Sequence, residues 1–121
     1  MNLTYLKLVI SIMDFETYQK KARFTAQYPN LGSNYIYPTL GLVGESGEVA
    51  EKVKKVIRDK KGIFDENSKD AIKKELGDVL WYLSNLCTEF DFSLDEVAQI
   101  NLNKLKIRAS KGKISGSGDD R

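Results

Sequence analysis

The sequence predicts an all-α fold with four main helices, near residues 14–27, 39–60, 68–90 and 94–110. Three observations support this reading. Apolar residues recur at the helical period of about 3.6 through each segment. Asp14 and the capping box Ser93-Leu94-Asp95-Glu96 mark helix starts. Finally, Glu45-Ser46-Gly47-Glu48-Val49 is nearly duplicated thirty residues later as Glu75-Leu76-Gly77-Asp78-Val79. Acids spaced three apart share one face of a helix.

Residues 1–12 precede the organised pattern. Their run Leu8-Val9-Ile10-Ser11-Ile12 is too short to span a bilayer and meets no small-residue cleavage site, so a peripheral extension is expected and Met13 could itself be the start. Asp14 caps the first helix, on which Phe15, Tyr18, Ala22 and Ala26 share a side, and Pro29-Asn30 ends it. The connection 31–38 holds Tyr35 and Tyr37, which either contact a base or pack on their own domain. The second helix carries Gly41, Gly44 and Gly47, each costing about 1 kcal/mol relative to alanine. Gly41 and Gly44 fall on the acid flank, where a missing side chain leaves room for a ligand or for close helix packing. This helix closes in Lys54-Lys55-Val56-Ile57-Arg58-Asp59-Lys60-Lys61, whose cations favour the dipole and could meet a polyphosphate.

Asp65, Asn67 and Ser68 compete to cap the third helix. Trp81 points away from its core stripe, which suggests a partner surface, with dimerisation the preferred use. On the fourth helix, Leu94, Val97, Ala98 and Leu105 form a stripe edged by Asn101, Lys104 and Arg108. Burying that polar trio without partners is costly. An anionic ligand would supply partners; exposed side chains snorkelling past the core are the alternative. Residues 112–121 form a Gly/Ser-rich, loop-like tail.

The acids gain weight from their placement. Advancing roughly 100° per residue, Leu42, Val49, Val53 and Val56 fall on one side of Glu45 and Glu48 on the other. The same exercise from Glu75 sets Ile72, Leu76, Val79, Leu83, Leu86 and Phe90 on the apolar side and Asp78 opposite, with Tyr82 one turn further along the acid flank. A lone acid pair beside an apolar stripe is ordinarily solvated. Two matched pairs on matched flanks point instead to a metal site at the lip of the core.

Composition limits the chemistry of such a site. A chain of 121 residues with 41% hydrophobic and 30% charged residues fits one globular domain. Its net charge of +2 gives no argument for a nucleic acid polymer or a membrane surface. The single Cys87, on its helix's apolar stripe, excludes an internal disulfide and suits a buried free thiol in a reducing cytoplasm. The absence of histidine removes imidazole zinc sites, Ser-His and Cys-His nucleophiles, and Glu-x-x-His di-iron bundles. An all-oxygen site remains, suited to magnesium or manganese.

Taken in combination, Gly41-Leu42-Val43-Gly44-Glu45-Ser46-Gly47-Glu48-Val49-Ala50-Glu51, Glu75-Leu76-Gly77-Asp78-Val79-Leu80-Trp81-Tyr82-Leu83, and Asn101-Leu102-Asn103-Lys104 with Arg108 resemble the MazG-like nucleotide pyrophosphohydrolases. The resemblance runs from about Asp14 to the chain end, leaving residues 1–12 outside a helical domain at 13–111. It implies a four-helix bundle built from two helical hairpins and assembled as a homodimer or homotetramer. It also implies magnesium-dependent hydrolysis of a nucleoside triphosphate to the monophosphate and pyrophosphate. The metal ligands it implies are Glu45, Glu48, Glu75 and Asp78, any of whose glutamates could serve as base instead, and the substrate positions are Asn101, Lys104 and Arg108. Tyr82 joins them through its place one turn after Asp78. A competing reading is a non-catalytic interaction module, antitoxin-like or adaptor, with solvated acids and Trp81 on its working surface. Magnesium-linked nucleotide binding that depends on Glu48 and Asp78 separates the two.

Overall fold

The computed structural model describes residues 12–112, 116 and 118. Among them the chain forms four helices and no strand: α1 (Phe15–Phe24), α2 (Ile36–Asp59), α3 (Glu66–Glu89) and α4 (Leu94–Ser110). The all-α helical expectation holds. Apart from Ile12, Gly112, Gly116 and Gly118, the expected extension and tail lie outside the described residues. No helix among the described residues is long and apolar enough to cross a membrane.

Side chains fix the helix starts by accepting amide protons that the helix itself cannot satisfy. Asp14 accepts from the Thr17 amide at 2.7 Å, Asp65 from Ser68 at 2.8 Å and Ser93 from Glu96 at 3.3 Å. Asp65 is thus the cap of α3, and the bonds from Ser68, then Lys60, hold its carboxyl down at about 2. α2 begins at Ile36, earlier than its sequence pattern suggests, because Asn34 accepts from the Tyr37 amide at 3.0 Å. Pro38 then falls in the first turn, where a missing N–H costs nothing. α1 stops short, at Phe24, where the Thr25 hydroxyl donates back to the Ala22 carbonyl at 2.7 Å. α3 ends in a left-handed residue, Asp91, with φ 56°. The Phe92 amide reaches the Cys87 carbonyl at 2.8 Å, and the Phe92 ring stacks on Phe90, which together complete a Schellman end.

α2 and α3 form an antiparallel hairpin whose turn uses Lys61 and Gly62 at φ 55° and 73°. Among the helices, α2 packs only on α3, whereas α1 lies against both α3 and α4. Gln19 fastens α1 to the α3–α4 joint. It donates to Thr88 at 3.1 Å and to the Phe92 carbonyl at 2.9 Å, and accepts from the Leu94 amide at 2.9 Å. A second anchor is Glu89, whose side chain is 0% exposed. It accepts from the Tyr28 hydroxyl at 2.8 Å and the Gly32 amide at 3.1 Å, while Arg23 lies 3.6 Å from its other oxygen. Burial acts to raise the Glu89 carboxyl, but these hydrogen bonds and the Arg23 charge outweigh it and leave it below its ordinary value.

Two expectations are corrected. Trp81, read as pointing outward, is tied within its own chain: its indole N–H donates to Thr25 at 2.9 Å and its ring packs edge-on against Tyr28 and Tyr82. The α1–α2 connection, folded back over α3, covers the side that helical periodicity assigns to the outside. Leu76 and Phe90, assigned to the core stripe, are exposed at 51% and 47%. Among the described residues Leu76 is left uncovered, and Phe90 packs sideways between Tyr35 and Phe92. Cys87 is buried and free as expected, and burial pushes its thiol up.

Replacing Glu89 with alanine strips partners from Tyr28, Gly32 and Arg23 and should destabilise the fold by about 3 kcal/mol in urea unfolding. Because its folded-state carboxyl is depressed, its charged-state contribution is complete above the ordinary carboxylate value. That contribution should vanish as pH falls through the lower, folded value.

Candidate active site

The antiparallel register of α2 and α3 sets Glu45 opposite Glu75 and Asp78. One carboxylate oxygen from each lies within 4.8 Å of the others, with Glu45 and Glu75 half-buried and Asp78 exposed. Glu48, one turn beyond Glu45, is exposed and stands outside this tight trio, though its charge still acts on Glu45. Burial, then the charges of Asp78 and Glu75, push the Glu45 carboxyl above its ordinary value. A cation would relieve that repulsion. Lys52 supplies part of it from two turns along the same α2 face, its Nζ 3.8 Å from Glu75. Three hard oxygen donors, with no histidine anywhere in the chain, fit magnesium or manganese.

Tyr82 joins the acids to an aromatic cavity. Burial, the adjacent Tyr37, and the charges of Glu45 and Asp78 raise its hydroxyl. The ring lies directly over Gly41, where an added Cβ would fall inside it. The space at Gly41 is therefore taken by Tyr82, while Gly44 and Gly47 have nothing within 4 Å of an added Cβ. Tyr82 meets Tyr37 at 6.4 Å and Trp81 at 5.0 Å, and Tyr37 stacks on Tyr28 at 5.0 Å. These four rings, with Thr25, Gln27 and Pro29, line a cavity of about 480 Å³. A larger cavity of about 690 Å³ lies between α1 and the start of α4, and none of the clustered acids lines it.

The helix of Asn101, Lys104 and Arg108 packs on α1 and α3 and, among the described helices, makes no contact with α2, which carries Glu45. Asn101 is exposed and Lys104 half-buried, and the buried Arg108 donates to the Gly118 carbonyl at 3.3 Å. Two neighbours of the acids escaped the sequence reading. Tyr18 belongs to the apolar side of α1, yet its hydroxyl is raised by burial and by the charge of Asp78. Lys52 was legible in principle, because it follows Glu45 by seven residues and so shares its face.

The chain is an all-helical protein in which hard carboxylates converge from two helices beside a group of packed aromatic rings. The MazG nucleotide pyrophosphohydrolase domain model matches residues 37–112, and the chain belongs to that family. It is also similar to the Gene 37 protein of Mycobacterium phage L5, at 46% identity over 114 residues, covering 90% of this chain and 100% of that protein. No solved structure matches the chain.

The raised Glu45 carboxyl carries a sign. Between the ordinary value of 4.5 and the raised one, the folded chain holds a proton that the unfolded chain has released. Metal-free stability should therefore fall as pH rises through that window. Glu45→Gln should abolish this slope. Magnesium should stabilise the wild type by about 2.7 kcal/mol at a hundredfold excess over its Kd, increasingly so as Glu45 deprotonates, and should leave Glu45→Gln nearly unmoved in thermal melts.

Proposed function

We propose that the chain hydrolyses a nucleoside triphosphate, ribo- or deoxyribo-, between its α and β phosphates, releasing the monophosphate and pyrophosphate in nucleotide-pool house-cleaning. The observation that carries this reading is the carboxylate trio within 4.8 Å, joined through Tyr82 to a cavity walled by aromatic rings. One end suits phosphate chemistry and the other suits a base.

Glu45, Glu48, Glu75 and Asp78 would hold Mg²⁺, or Mn²⁺ in its place. When bound, the ion neutralises phosphate charge and makes water a stronger nucleophile. The side chains supply the rest. Tyr37, Trp81 and Tyr82 offer ring surfaces to the base, and the exposed Gln27 amide at the rim offers a donor and an acceptor to its edge. Glu48, outside the tight trio, is the glutamate placed to act as base instead of ligand, taking the attacking water's proton on a carboxylate oxygen.

Asn101, Lys104 and Arg108 complete the substrate contacts in this proposal, delivered by α4 of a second copy in a homodimer or homotetramer. Leu40, Val43 and Leu76 are exposed on the α2–α3 hairpin, and Ile100, Leu102 and Ile107 on α4. These apolar side chains are the surface that assembly would cover. No nucleic acid polymer and no membrane enter the reading, and a reducing cytoplasm suits the free Cys87. The competing interaction module has less support, because Trp81 already bonds Thr25 and packs on Tyr28 and Tyr82 within its own chain.

Asp78→Asn keeps size but removes a ligand charge. Turnover should drop by roughly 100-fold or more while far-UV circular dichroism stays native. Full metal-dependent activity in that variant, or stepwise release of single phosphates by the wild type, contradicts the mechanism. Light scattering at micromolar concentration should report at least a dimer, and a stable monomer would remove the proposed role of α4.

A further inference from the structure

The hairpin axis orders the chemistry in a line. Tyr37, Trp81 and Tyr82 occupy one end and the acids the middle; beyond Glu75, toward the turn, the groove between α2 and α3 becomes basic. Two adjoining cavities of about 400 and 240 Å³ fill that groove and share Lys52, Asn67 and Ala71 in their walls. Lys74 borders the first, and Lys55 and Lys60 the second. In the second cavity Asp59 is held by Arg58 through bonds of 2.7 and 2.8 Å, while Lys60 pairs with Asp65 at 3.1 Å and Lys55 with Glu51 at 3.5 Å; Asp70 borders the first cavity beside Lys74, and Lys52, common to both, is the most loosely paired of Lys52, Lys55 and Lys60. Lys52 lies 3.8 Å from Glu75, too far for a good hydrogen bond, so its ammonium can be claimed by a stronger anion.

The spacing fits a nucleotide laid along this axis. At the helical rise, Tyr82 stands about 10 Å from Glu75, and Glu75 about 12 Å from Asn67. The first span accommodates a base and sugar up to an α phosphate at the acids, and the second leaves room for two further phosphates. We propose that this groove receives the β and γ phosphates, and holds pyrophosphate after cleavage, with Lys52 as the principal contact and Lys55 as a weaker one. The inference rests on the hydrolase reading and gives the substrate a direction: base toward Tyr82, phosphate tail toward the hairpin turn. A compact ammonium, aimed as a point charge, suits a phosphate tail of variable conformation.

Calorimetric titration of the full chain with inorganic pyrophosphate in magnesium tests the groove without requiring turnover. Lys52→Met should weaken pyrophosphate about tenfold and Lys55→Met less, while affinity for a nucleoside monophosphate stays at the wild-type value and affinity for magnesium does not fall, since Glu75 loses only a competing cation. Lys52→Arg should recover most of the loss. Unchanged pyrophosphate affinity in both methionine variants overturns the proposal, as does a Lys52→Met variant whose magnesium affinity falls as far as its pyrophosphate affinity, since Lys52 would then serve only Glu75. A wild type that releases pyrophosphate from nucleotides alongside either result leaves the hydrolase reading standing. A wild type with no such turnover removes that reading and the substrate direction with it.

Discussion

Three carboxylates within 4.8 Å of one another are held there against their own repulsion by the packing of α2 on α3. Among the described helices α2 packs on α3 alone, and that interface fixes the relative height and rotation of Glu45, Glu75 and Asp78. The apolar stripe, ending in the buried Val56 near the turn, supplies the attraction. Electrostatic energy is consequently stored in the folded, cation-free chain, most visibly in the raised carboxyl of Glu45. On the proposed reading, the arrangement would gain affinity for a divalent ion at the expense of stability without one.

The aromatic side of the site depends on a different anchor. Tyr28 belongs to the α1–α2 connection, and its place beside Tyr37 and Trp81 is set by the hydroxyl bond to Glu89. Arg23 on α1 meets both Tyr28 and Glu89, while Gly32 closes the loop onto the same carboxylate. A fully buried acid far along α3 from the cluster thus shapes the walls against which a base would stack. The acids depend on the α2–α3 interface and Tyr28 on Glu89, with Tyr82 over Gly41 linking the two.

Much of this was legible in the sequence. Helical period and matched acid spacing locate the carboxylates, and Tyr82 follows from its turn-later position. Periodicity identifies which face of a helix is apolar, but it does not tell what covers that face. Leu76 follows the stripe and remains exposed; Trp81 departs from it and is covered, because the path of the α1–α2 connection carries no periodic signal. The start of α2 was hidden similarly, since Asn34 and Pro38 read as loop residues until the Tyr37 amide is seen to need a cap. The missed Lys52 had the right spacing but the sign opposite to a metal ligand.

The joint between α3 and α4 is short and stiff, with Asp91 at φ 56° and the Cys87 carbonyl bound by Phe92. α4 therefore leaves α3 in a direction set at Asp91. Over its 17 residues it extends about 25 Å, so a 10° rotation at Asp91 moves its far end by about 4 Å. Asn101, Lys104 and Arg108 lie at increasing radius along that arm. A change at Asp91 would disturb Arg108 most and Asn101 least, a gradient of displacement set by leverage alone.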